Sequence, residues 1–205
     1  PPFTLPTGVV PTFKDIKIPK GTTLTIGYLA ANETDQFCVF LGDVIEDEAA
    51  KYKDQVEFIM SDAQHTAAIQ VSQAEDMVIK KPDAVIMQAV DQEASAPALS
   101  LLVKAGIPTI MLSNSISNVE EATSFVGIDD MEAGMLMASL INEALGGKQA
   151  IVNVIQGPLG DPCNERRWTA VKQAFETKYT NLMVGATQAA DWDRNKAMNV
   201  AEDWI

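Results

Sequence analysis

From residue 24 onward the chain repeats one pattern. A short apolar run is followed by a polar loop and then by a longer stretch with apolar residues every third or fourth position. The runs fall at 24–30, 56–60, 84–87, 109–112, 124–128, 150–155 and 182–185. Short continuous runs rich in Val, Ile and Leu predict strands buried on both faces. The longer stretches predict amphipathic helices. The first carries Phe37, Phe40, Leu41, Val44 and Ile45 at helical spacing, the second Ala67, Val71, Ala74 and Val78, and a later one Val171, Ala174 and Phe175. Asp129-Asp130-Met131-Glu132 reads as a helix entry, with carboxylates near the positive end of the helix. A final helix over 194–205 carries Ala197, Val200, Ala201 and Trp204 on one face. Strict alternation of strand and helix predicts an α/β fold with doubly wound parallel sheets.

Five of the runs precede residue 129 and two follow it. Two strands with three helices do not cover both faces of one sheet. The expected organisation is therefore an extended, proline-punctuated leader over 1–23, an N-terminal lobe over 24–128, and the first part of a C-terminal lobe over 129–205, with that second lobe incomplete.

Composition narrows the classes of function. The 205 residues are 47% hydrophobic and 21% charged, enough for a core in a globular chain. Lys plus Arg number 15 against 28 Asp plus Glu, a net charge of −13. That balance argues against a nucleic-acid surface, which needs clustered positive charge, and against an anionic membrane face. No apolar run approaches the roughly 20 residues that span a bilayer. The first residues lack the charged-then-apolar pattern of a signal peptide. Cys38, Cys163 and the single histidine, His65, cannot make a four-ligand zinc site. Signatures of a nucleophile elbow, a P-loop or a dinucleotide fingerprint are missing. No enzyme activity, cofactor or metal is expected.

In open α/β sheets, ligands bind beyond the carboxyl ends of the strands. The residues there are Asn32, Thr34, Asp35, Gln36 and Phe37 after the first run, Asp91, Gln92 and Glu93 after the third, and Ser113 and Asn114 after the fourth. The sixth run is followed by the loop 156–167, with Gly157, Gly160, Asp161, Cys163 and Arg167, and the seventh by Asp191, Trp192 and Asp193. Carboxylates accept hydroxyl protons, an arginine fork donates, and an aromatic ring covers an apolar C–H face. Such a set suits a polar, uncharged ligand such as a sugar.

Five segments, in order and spacing, carry a resemblance. They are Ile26-Gly27-Tyr28 with Asp35-Gln36-Phe37, Ala105-Gly106-Ile107-Pro108-Thr109-Ile110, Val126-Gly127-Ile128-Asp129-Asp130, the loop 156–167, and Ala189-Ala190-Asp191-Trp192-Asp193. Over about residues 24–205 the chain resembles the type I periplasmic sugar-binding proteins, the ribose and glucose/galactose receptors of ABC transporters. The resemblance implies the two-lobed periplasmic-binding-protein type I fold. It implies ligand-binding roles for Asp35, Phe37, Cys38, Asp91, Ser113, Asn114, Asp161, Cys163, Arg167 and Trp192. Cys38 stands where ribose receptors carry a second aromatic. Ser113-Asn114 replaces their acid–arginine pair, a change that points away from ribose. Arg167 and Trp192 match the family's ligand arginine and second stacking aromatic. The calcium loop of the glucose/galactose type is replaced by Gly146-Gly147-Lys148, so no metal is implied. The family chain crosses between lobes three times. This sequence stops before the second crossing, which would place further ligand residues beyond it.

The function so implied is an extracytoplasmic solute-binding protein. It captures a monosaccharide or polyol in an interlobe cleft, closes about hinges near 112–116 and 127–130, and delivers the ligand to ABC permease subunits. It is expected to be a monomer, in the periplasm or as a lipoprotein on the outer face of the cell membrane. The alternative is the sensing domain of a lactose-repressor-type regulator, which requires a helix-turn-helix of roughly 50–60 residues before the first strand. Cys38 and Cys163 are read as two independent thiols, with a disulfide locking a closed form as the competing reading.

Overall fold

A computed structural model of the chain describes residues 23–52 and 54–205. The leader expected over 1–23 lies outside them apart from its last residue. Contacts divide the chain into two compact units. The first runs to Val90 and resumes over Ala94–Val126, and the second comprises Asp91–Glu93 and Gly127–Ile205.

The first unit holds β1 (Leu24–Ala30), α1 (Gln36–Ala50), β2 (Val56–Asp62), α2 (Ala67–Lys80), β3 (Ala84–Met87), α3 (Ala96–Lys104), β4 (Thr109–Leu112), a 3-10 turn over Val119–Glu121 and β5 (Ser124–Val126). Its five strands are all parallel, in the order β2-β1-β3-β4-β5. The chain leaves β1 toward β2 and returns past it to β3. Connections therefore diverge in opposite directions at the carboxyl ends of β1 and β3, the switch point where such sheets open a crevice. The core lies under α2 and α3, where Leu29, Met77, Val85, Met87, Leu99, Leu102 and Met111 are fully buried. Each large side chain buried there stabilises the fold by about 1.5–3 kcal/mol. Gly27 allows the close approach of α2, because a Cβ at that position would lie 2.8 Å from the Met77 sulfur.

The second unit holds α4 (Asp130–Ala144), β6 (Ala150–Gln156), α5 (Pro162–Thr177), β7 (Leu182–Ala189) and α6 (Arg194–Asp203). β6 pairs in parallel with β7 in a separate two-stranded sheet, as the two-lobed reading required. Ala138, Val171, Ala174, Phe175, Tyr179 and Leu182 form its core. α4 and α5 pack at Gly134, where a Cβ would sit 2.4 Å from the Arg167 carbonyl oxygen and 2.7 Å from the Ala170 Cβ.

Three expectations need correction. The apolar stripe of α1 does not face the core as a whole. Phe37, Phe40 and Val44 are exposed, and the buried side is Cys38 and Gly42, with Leu41 and Ile45 half-buried. Helical periodicity marks a stripe wider than the contact strip, and residues on its flank stay in solvent. β5 ends at Val126 rather than at 128, because it is an edge strand and Gly127 already belongs to the second unit. β6 is not buried on both faces: its burial alternates, and Ile151 is 68% exposed.

Candidate functional site

In the first unit the carboxyl ends of β1, β3 and β4 rest on buried side-chain amides. Asn32, 3% exposed, closes a turn after β1. Its Oδ1 accepts from the Thr34 and Asp35 backbone N–H groups at 2.9 and 2.8 Å and from the Thr34 hydroxyl at 3.1 Å. Its Nδ2 donates to Asp35 Oδ2 at 3.1 Å. Asp35 is the N-cap of α1, but its side chain caps no backbone N–H. The carboxylate is instead turned to Asn32 and to His65, whose Nε2 lies 3.8 Å away. His65 Nε2 also meets the Thr34 hydroxyl at 3.2 Å, and both Gln64 and His65 adopt left-handed backbone conformations to bring it there. Phe37, on the first turn of α1, is 58% exposed.

Below this rim, Cys38 Sγ accepts from Asn32 Nδ2 and from Gln88 Nε2, both at 3.4 Å. Gln88 Oε1 accepts from the Tyr28 hydroxyl at 3.3 Å. Gln70 works like an added strand. Its Nε2 donates to the Gln88 carbonyl at 2.7 Å and its Oε1 accepts from the Val90 N–H at 3.2 Å. Asn114 Nδ2 donates to the Ala89 carbonyl at 2.7 Å, and Asn114 is 6% exposed. Ser113, before it, has φ 62°. Gln70 and Gln88 belong to the site's support and were not singled out from the sequence. An amide interrupting an apolar strand end is a faint signal, and its partners are far away along the chain.

The second unit is built on charge. Asp161 is the N-cap of α5 and accepts from the Asn164 N–H at 2.9 Å. Its carboxyl group is held above the ordinary aspartate range. Burial is the main cause, opposed by hydrogen bonds from the Asn164 backbone and the Trp192 side chain and by the charge of Arg167. The loop before it is tied down by Asn164, whose Oδ1 accepts from the Gly157 N–H at 3.0 Å, and by Glu165, whose Oε1 accepts from the Gly160 N–H at 3.1 Å. Gly160 has φ 88° and lies under the Asp91 carboxylate, which would be 2.5 Å from a Cβ there. The Gln92 N–H donates to the Gly160 carbonyl at 3.2 Å.

Trp192 is 45% exposed. Asp191 and Trp192 both take left-handed backbone conformations, at φ 54° and 58°. Such strain at non-glycine residues costs about 1–3 kcal/mol each and persists only where the surroundings hold it. Here it lays the indole across Gly157, where a Cβ would come within 2.3 Å of the ring. Lys196 Nζ pairs with Asp191 Oδ2 at 2.8 Å, and the Asp193 side chain caps α6.

Two ion pairs join α4 to α5. Arg166 Nη2 donates to Asp129 Oδ1 at 3.2 Å, and Arg167 Nε donates to Asp130 Oδ1 at 2.8 Å. Arg167 is among the residues the sequence placed at the site. The carboxylate that grips it is Asp130, which is 1% exposed. Cys163 is a buried thiol in the same neighbourhood. Burial pushes its ionisation far up, and the Asp130 and Asp161 carboxylates add to the effect.

Seven of the ten predicted site residues thus sit at strand carboxyl ends or the helix turns just beyond them with a local partner: Asp35, Cys38 and Asn114 in the first unit, and Asp161, Cys163, Arg167 and Trp192 in the second. Phe37 lies exposed on the first turn of α1. Ser113 and Asp91 stand in the adjoining loops. No helix among the described residues is long and apolar enough to cross a membrane.

The comparisons agree with this geometry. A family model described as a periplasmic binding protein domain matches residues 26–205. The ribose import binding protein of Bacillus subtilis is 30% identical over 181 residues, covering 88% of this chain and 57% of that protein. The xylitol-binding protein of Mycolicibacterium smegmatis is 29% identical over 150 residues, covering 73% of this chain and 42% of its own length. Among solved structures, an ABC transporter solute-binding protein from Bacillus halodurans with bound myo-inositol superposes with a TM-score of 0.82. It is 30% identical, over 91% of this chain and 64% of that one. The chain therefore spans less than two thirds of the length of these relatives. With the family model covering nearly all the described residues, and the parallel strand order and strand-end polar groups already in place, the chain belongs to the periplasmic binding protein family.

Proposed function

We propose that this chain is the ligand-binding part of an extracytoplasmic receptor. It captures a small neutral sugar or polyol and hands it to the permease subunits of an ABC importer, working as a monomer and performing no catalysis. Relatives named for ribose and xylitol, and a neighbour with bound myo-inositol, support the ligand class. In this reading Phe37 and Trp192 cover apolar C–H faces, Asp35 and Asp161 accept hydroxyl protons, and Arg167 donates. Asp91 and Ser113 add polar groups. Cys38, Asn114 and Cys163 are buried and shape the floor.

One observation carries the proposal. Trp192 is held half-exposed in a strained backbone, with its ring packed close to Gly157 and hydrogen-bonded to a desolvated carboxylate. A fold keeps an exposed aromatic at such a cost where a flat partner completes the site. A thermal-shift screen of pentoses, hexoses and polyols tests it. A ligand at 100 times its dissociation constant adds about 2.7 kcal/mol of stability. A shift with one group of neutral ligands is expected, and the absence of a shift with all of them overturns the proposal.

A further inference from the structure

Arg167 is the strongest cation at the proposed site, and its charge raises a question of selectivity. An arginine facing a ligand attracts carboxylates and phosphates above all, because its planar fork matches them in two bonds. A receptor for neutral polyols must suppress that attraction while keeping the donors. The second unit contains a group placed to do so. Asp130 is the first residue of α4, 1% exposed, and its Oδ1 accepts from Arg167 Nε at 2.8 Å. The Arg167 side chain is 34% exposed, so the pair consists of a hidden anion and a cation that reaches solvent.

Packing alone does not account for Asp130. The contact of α4 with α5 is already set by Gly134 against the Arg167 carbonyl and by the neighbouring Arg166–Asp129 pair at 3.2 Å. A buried carboxylate is expensive, and a well-packed apolar residue would serve a purely structural position at least as well. The cation that this buried carboxylate meets is the Arg167 guanidinium, with the Cys163 thiol beside it. Asp161, itself partly desolvated, also lies close enough to feel the Arg167 charge. Two carboxylates against one guanidinium leave no net positive charge for an anionic ligand to meet.

We propose that Asp130 is a specificity-determining positioning residue. It fixes the Arg167 fork through Nε and cancels its charge, so that the site accepts neutral polyhydroxylated ligands and rejects their carboxylated counterparts. The inference rests on the proposed ligand class and adds the residue that enforces it. Selectivity here comes from a repulsive element built against the wrong ligand as much as from contacts to the right one.

The test uses matched probes in titration calorimetry: D-ribose with D-ribonate, xylitol with D-xylonate, D-galactose with D-galacturonate, and myo-inositol with D-glucuronate. In the unaltered chain the neutral member of at least one pair binds, and its acid binds at least tenfold more weakly. Asp130→Asn keeps the shape and one acceptor but removes the charge. It is expected to narrow the neutral-to-acid ratio at least fivefold, a change that lost stability alone would not produce. Asp129→Asn, which loosens the same two helices, leaves the ratio unchanged. Acid binding as tight as neutral binding in the unaltered chain overturns the inference and leaves the receptor reading standing, and it does so even if Asp130→Asn fails to fold. An unchanged ratio in a folded Asp130→Asn protein overturns it as well. Binding by none of the eight probes removes the receptor reading and this inference with it.

Discussion

The two units reach the same result, a set of polar groups at strand carboxyl ends, by different physics. The first relies on neutral amides. Asn32, Gln70, Gln88 and Asn114 are nearly or fully buried and hydrogen-bond chiefly to backbone at the ends of β1 and β3. The second relies on charges: Arg167 on Asp130, Arg166 on Asp129 and Lys196 on Asp191. Amide bonds to backbone set geometry without creating a field. Ion pairs also set geometry, but they respond to salt and pH, and a lost partner leaves a charge behind. The polar groups of the first unit are thus held without net charge, and those of the second are held by charge.

The largest expected effect breaks the charged half. Arg167→Met leaves Asp130 buried without its counter-ion and is expected to destabilise the second unit by about 3 kcal/mol, near the lower end for broken buried pairs because Arg167 is partly exposed. Hydrogen exchange along α4 and α5 reads the loss, and protection in β1 and β3 should hold. If β1 and β3 lose protection equally, the two halves are not independent.

The matching change in the neutral half is Gln70→Leu. It orphans the Gln88 carbonyl and the Val90 N–H inside the protein, at about 2–3 kcal/mol in urea unfolding. Because no charge is involved, that loss should be the same at low and high salt, whereas the Arg167→Met loss should shrink as salt rises. A salt-dependent Gln70→Leu effect would erase the contrast.

Two changes at Trp192 sharpen the picture on the ligand side. Trp192→Ala is expected to weaken ligand binding by about 1–3 kcal/mol. Gly157→Ala leaves the ring in the chain but displaces it, since the new methyl group would overlap the indole. Calorimetry should therefore find a comparable loss in both, and normal binding by Gly157→Ala would show that the ring position is incidental.

The smallest effect is one of pH. Burial raises the Asp161 carboxyl above its ordinary range. A group raised on folding favours the native state most when protonated, so its contribution is present at low pH and is lost as pH rises through the native value. Ligand hydroxyls require the ionised form as acceptor, so affinity should run the opposite way and fall on acidification before ordinary aspartates titrate. Asp161→Asn should flatten both profiles. A wild-type binding curve that stays level through mildly acidic pH would remove Asp161 from the ligand set.

The periodicity of apolar runs was enough to place the seven strands of the described residues, five before residue 129 and two after, and to predict parallel pairing. Strand formation depends on neighbours in sequence, and a parallel order needs only the alternation with helices. The positions of Asp161, Arg167 and Trp192 beyond strand ends were legible too, because the ends of the apolar runs mark where strands stop. The rest depended on distance along the chain. Phe37 and Phe40 share the helical spacing of core residues, yet only the packing of α1 shows that the buried strip passes through Cys38 and Gly42. Gln70 reads as a polar position on a helix until the end of β3, 18 residues on, is found beside it. Asp130 reads as a helix-entry carboxylate until α5 brings Arg167 across 37 residues to its side. A hydrophobic pattern is a local property and can be read residue by residue. Whether a buried polar group is satisfied, and which charge it cancels, is decided by its partner, and that partner is known only once the chain has folded.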